Sequence, residues 1–161
     1  MRFSKVATIL QGASFLVATS ASFTTAHVPM ESKVFNCLGR KLMKADFLQE
    51  KQVAVSLIAK RKLVGRSSVD MEEEFLNDRQ SKTIMYSDQQ TTTYYLYWLN
   101  HLWYTENDDV YKHHFMHYLL IDNLHRVSGI MIKERWTIQD QSAAVDSGSR
   151  APKESFCSIG D

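Results

Sequence analysis

The chain predicts an α+β fold, one N-terminal helix packed on an antiparallel sheet and held by one disulfide. Three observations point there. Lys44 to Lys62 lacks Gly and Pro and carries apolar residues at helical spacing. Downstream runs are rich in Thr, Tyr and Trp or in alternating apolar residues, which suit pleated surfaces. Two cysteines, Cys37 and Cys157, stand near opposite ends of the chain.

The first residues read as an export leader. Arg2 and Lys5 precede an uncharged stretch from Val6 to Val17, and small residues follow from Ala18 to Ala26. A basic start, a short apolar core and a small-residue exit make a secretory signal peptide. Gln11 and Gly12 interrupt the apolar part, which is too short to span a bilayer. Cleavage is expected after Ala26, with Ala21 as the alternative, so residues 1–26 are the signal peptide and 27–161 one domain. Removing Arg2 and Lys5 takes the 19 basic residues to 17 against 18 acidic ones, a formal charge of −1. So balanced a domain has no long-range field to gather nucleic acid or an anionic membrane. No membrane association is expected after cleavage, and a monomer is the expected state.

Each element follows in order. Pro29 keeps residues 27–36 extended as a lead-in. Phe47, Leu48, Ala54, Val55 and Ile58 recur at spacings of 3, 4 and 7, one face of a helix. Val53, Val55 and Leu57 also alternate as a strand would, but length and flanks favour the helix. Lys60, Arg61 and Lys62 close it, and Gly65 is the expected stop. Residues 66–81 are polar, with Glu72-Glu73-Glu74 as a solvated run. Strands are expected at Thr83–Tyr86 and Thr91–Trp98, and a turn at Asn107-Asp108-Asp109. Tyr111–Ile121 and Arg126–Trp136, joined across Asp122-Asn123-Leu124-His125, form the clearest hairpin. Residues 139–153 are rich in Ser, Ala, Gly and Asp and read as a long mobile loop, after which Phe156-Cys157 returns to the body.

Two cysteines in an exported chain suggest a Cys37–Cys157 bridge, with two free buried thiols as the alternative. Phe35-Asn36-Cys37 is an aromatic-x-Cys triplet shortly after the leader, and its partner cysteine lies four residues from the end. This arrangement resembles the ribonuclease-like secreted effectors of powdery mildew fungi (the RALPH effectors), in which a Tyr/Phe/Trp-x-Cys motif pairs with a C-terminal cysteine. The run Tyr118–Met131 looks like the central hairpin of the small guanyl-specific fungal ribonucleases. The resemblance covers the mature chain loosely and implies a ribonuclease-like fold. Enzymes of that fold use a carboxylate base, an arginine and a histidine acid. A gapless carry-over of the hairpin puts Tyr118 at the arginine and Lys133 at the histidine, and the strand before it offers Tyr95 near the carboxylate's place. Tyrosine is no permanent cation and lysine is a poor acid at neutral pH, so the resemblance implies a scaffold without catalysis. It further implies entry into host plant cells, a host protein target, recognition by a host immune receptor, and RNA as another partner.

His113-His114-x-x-His117 invites a metal reading, but on a strand residues four apart lie roughly 13 Å apart, too far for one ion. No metal and no cofactor are expected. The densest aromatic segment is Tyr94, Tyr95, Tyr97, Trp98, Trp103 and Tyr104. Most of it should be core; the remainder could anchor a partner or stack bases. Tyr97, Trp98 and Trp103 with Lys112, Arg126, Lys133 and Arg135 are therefore the candidate binding surface. Lys60-Arg61-Lys62 is read as dipole-complementing helix charge. Two rival readings stand beside the effector: an active ribonuclease using His113, His114 or His117 with Glu134, and a carrier holding an apolar ligand among the aromatics.

Overall fold

The computed structural model describes residues 23–77, 82–107, 111–138 and 153–160. The expected leader as far as residue 22, the expected loop over 139–152 and the tip of the expected 107–109 turn lie outside these residues.

The organising unit is the antiparallel hairpin of β8 (Tyr111–Asp122) and β9 (Val127–Ile138). Outward from β8 follow β6 (Thr93–Trp98) and β4 (Gly65–Ser67), while β7 (Tyr104–Asn107) pairs with the early part of β8. On the other side, β10 (Lys153–Phe156) pairs with β9. A three-stranded sheet of β2 (Val34–Cys37), β3 (Arg40–Met43) and β11 (Ser158–Ile159) packs nearby. Leu38 and Gly39, both at positive φ (49° and 82°), make the two-residue turn between β2 and β3, as a type I′ hairpin requires.

Helix α1 (Lys44–Ala59) forms where periodicity predicts it. Asp46 Oδ2 accepts from the Met43 N–H at 2.8 Å, closing its first turn. Its end differs from expectation. Arg61, at φ 54°, takes the left-handed position, and the Arg61 and Lys62 N–H groups bond back to the Ile58 and Leu57 carbonyls. Gly65 is no stop; it opens β4 opposite Tyr95. A Cβ there would lie 2.5 Å from Thr93 Cγ2, so close strand approach is what demands glycine.

Residues 66–81 also differ from the expected polar segment, since a second helix, α2 (Ser68–Asn77), follows β4. Ser67 caps it by accepting from the Asp70 N–H at 3.1 Å. Glu74 is not wholly solvated: it is half-buried and pairs with Arg66.

Strand alternation gives the main sheet two apolar faces, each covered. Phe47 and Ala54 of α1, with Phe35 and Leu42 of the small sheet, pack on Phe115, Leu119, Ile121, Ile130 and Ile132. Met71 of α2, with Ile84 and Met85, packs on Tyr94, Leu120, Met131 and Phe156 across the other face. Cys37 and Cys157 are bonded, with Cα atoms 4.5 Å apart. The bridge ties the end of β2 to the link between β10 and β11. Phe35 of the triplet is fully buried, edge-on to Phe47 and Tyr86.

The expected strand at Thr83–Tyr86 narrows to β5 (Met85–Tyr86), and its partner was not foreseen. Thr24 and Thr25, placed by sequence inside the leader, form β1 and run parallel to Met85 and Tyr86.

Candidate functional site

The site candidates separate by face once the hairpin register is known. Trp98 stands opposite Tyr118, Met116 opposite Lys133, and His114 opposite Arg135. With Lys112 opposite Thr137, these residues alternate onto the face that α2 partly covers, away from α1. Towards the start of β8 and the end of β9 that cover gives out. Trp98 and Trp103 are 47% and 50% exposed, and Lys112 and Arg135 are exposed beside them.

This outer platform is pre-organised. Trp103 stacks on His114 with ring planes 10° apart. Both nitrogens of His114 are engaged, Nδ1 with Thr105 Oγ1 at 2.9 Å and Nε2 with Thr137 Oγ1 at 3.0 Å, which fixes the ring on which the indole lies. Lys133 Nζ sits 5.5 Å from the Tyr118 ring centroid and 2.5 Å from Glu154 Oε1. Rigid aromatics bordered by cations offer stacking area at small entropic cost.

Two members of the candidate surface do not belong to it. Tyr97 pairs with Leu119 and packs into the α1-side core. Arg126 is at the far end of the hairpin, held by Asp122 Oδ2 at 2.7 Å and Asp88 Oδ2 at 2.6 Å. Those bonds pull the Asp88 carboxyl well below the usual carboxylate range. Its guanidinium is thus a staple rather than a binding group. Missing from the candidate surface were His114, Met116 and Tyr118. Alternation from the foreseen Asp122–Arg126 turn was the signal that would have found them.

The three positions carried over from the ribonucleases do not converge. Tyr118 and Lys133 share the outer face, whereas Tyr95 pairs with Ile121 on the α1 side. The β6 residue beside Tyr118 is Trp98.

The three histidines also part company. His114 faces outward; His113 and His117 face the α1 side, with Phe115 between them. His113 Nε2 lies 3.0 Å from Glu134 Oε2, and its ring is stacked on Trp136 at 3.5 Å and tilted against Phe115 at 4.0 Å. His117 is buried, and burial lowers its pKa. It lines a cavity of about 250 Å³ with Cys37, Leu38, Arg40, Leu42, Leu102 and Tyr104. Of the dense aromatic segment only Tyr104 reaches that cavity. Among the described residues no three His, Cys, Asp or Glu side chains gather as a metal site would need, and no helix there is long and apolar enough to cross a membrane.

One buried polar cluster had no sequence signal. His27 and Lys33, six residues apart, meet the sequence-distant Asp122 beneath the hairpin turn. Lys33 Nζ donates to the Val127 carbonyl and to His27 Nδ1 (3.0 Å), and lies over the Tyr86 ring. His27 Nε2 faces Asp122 Oδ2 at 3.2 Å. Comparison with family models, curated proteins and solved structures finds no match for this chain.

Proposed function

We propose that the chain is a secreted fungal virulence effector on a ribonuclease-like scaffold, which suppresses plant immunity by binding a host protein and does not cleave RNA. The observation that carries this reading is the outer platform. Half-exposed Trp98 and Trp103 stand beside Tyr118 and Arg135, the residue types that dominate protein-binding hot spots, with Lys133 over the Tyr118 ring. Two of these, Tyr118 and Lys133, occupy positions where the resemblance would put catalytic side chains. The aromatic-x-Cys triplet bridged to the C-terminal cysteine supports the same family. Unpaired RNA bases are a further class of partner for such a surface, because stacking tolerates any base. A host immune receptor would read the same exposed side chains.

Cross-linking mass spectrometry in plant cells tests the proposal. Cross-links to a host protein should map to Lys112 and Lys133, and Trp98→Ser with Trp103→Ser should remove them while leaving the circular dichroism spectrum unchanged. Cross-links that survive both substitutions, or that map to α1, would refute it.

The active-ribonuclease reading has one observation behind it, the His113–Glu134 pair, a histidine and a carboxylate in hydrogen-bond contact. It requires purified protein to degrade single-stranded RNA and His113→Ala to stop it. Intact RNA after prolonged incubation would dismiss that reading.

A further inference from the structure

We propose that the leader is cut after Ala21 and that Phe23 to Ala26 stay in the mature protein as a structural strand. The proposal rests on the secretion reading and concerns where processing falls.

Local sequence does not choose between the two sites. Each has alanine immediately before the cut and threonine two residues earlier, Thr19 for Ala21 and Thr24 for Ala26, and both satisfy the small-residue rule. The fold does choose. The Phe23 carbonyl accepts from the Ile84 and Met85 N–H groups at 2.9 and 3.2 Å, and the Thr25 carbonyl accepts from the Ser87 N–H at 2.9 Å. Among the described residues β1 is the only strand paired with β5. A cut after Ala26 would leave those three donors without acceptors, along a segment where Ile84, Met85 and Tyr86 are buried. Buried N–H groups left unpaired are costly.

Packing adds a second argument. Phe23 lies against the cluster of Met71, Ile84, Met85, Leu120, Met131 and Phe156, and its loss would open that core. Beneath β5, a Cβ on Gly129 would come within 3.3 Å of the Ile84 carbonyl, so β5 lies directly on the hairpin. β1 therefore holds down the segment that covers the second core.

The test uses the full chain with its own leader, expressed in a secreting yeast, with the N-terminus of the released protein read by mass spectrometry. Ser22 as first residue is expected; His27 as first residue overturns the proposal with secretion intact. Two variants sharpen it. Ala26→Arg, at an exposed position, should leave release and the Ser22 terminus unchanged, whereas Ala21→Arg should block or displace the cut. If Ala26→Arg instead blocks release and Ala21→Arg does not, the proposal fails. A chain retained in the cell with Met1 attached overturns the secretion reading and this inference with it.

Discussion

At the scale of single residues, the cluster under the hairpin turn shows how one buried carboxylate organises distant chain. Asp122 is fully buried. Its Oδ1 accepts from the Leu124 and Arg126 N–H groups and its Oδ2 from Arg126 Nε, which shapes the turn. The opposite side of Oδ2 faces His27. Burial, aided by the Lys33 and Arg126 charges, lowers the His27 pKa from 6.5 to about 4, against the pull of Asp122 and Asp88. In the unfolded chain the ring takes a proton near pH 6.5; in the fold it stays neutral down to about 4. The unfolded state therefore binds more protons between those values, and stability falls as pH drops through that window. His27→Gln should flatten this part of the pH dependence of the urea midpoint. Parallel profiles for variant and wild type would show that His27 is not the group responsible.

At the scale of elements, helix and strand ends depend on backbone positions that side-chain pattern does not reveal. Basic residues at the end of α1 were foreseen, but Arg61 takes the left-handed cap and Gly65 serves a strand instead. The reason is local approach: β4 and β6 pair with Gly65 opposite Tyr95, and the Thr93 methyl occupies the space a side chain would need. Gly65→Ala should cost about 1–3 kcal/mol in chemical denaturation. Thr93→Ser, which removes the colliding methyl, should recover part of that loss. An additive double variant would show that the clash does not decide the residue. α2 escaped notice because its polar residues outnumber its apolar ones; among its described side chains Met71 is the one fully buried.

At the scale of the whole molecule, the disulfide joins two sheets across a sequence separation of 120 residues. The chain-entropy argument for closing so long a loop gives about 4.7 kcal/mol. Reduction should add two hydrogens to the intact mass and lower the guanidinium midpoint clearly, and Cys37→Ala with Cys157→Ala should reproduce that shift. An unchanged midpoint would show that the β2–β11 pairing and the Phe35 packing hold the ends without the bond. The same closure brings β10 onto β9, setting Glu154 beside Lys133 on the outer platform.

The sequence by itself determined α1, the β8–β9 hairpin, the one bridge and the general α+β character. Each rests on a periodicity, a turn signal or a pairing that leaves no alternative partner in the chain. It also singled out Trp98, Trp103, Lys112 and Arg135, which the fold leaves exposed. Tertiary structure alone decided which face each residue takes: a one-residue step along a strand reverses the side chain, and this separates Tyr95 from Tyr118 and Lys133. It alone turned Arg126 into a staple, because Asp88 reaches it from 38 residues away. It alone drew Phe23 to Thr25 into the domain, since their partners at residues 84–87 become neighbours only when the chain folds.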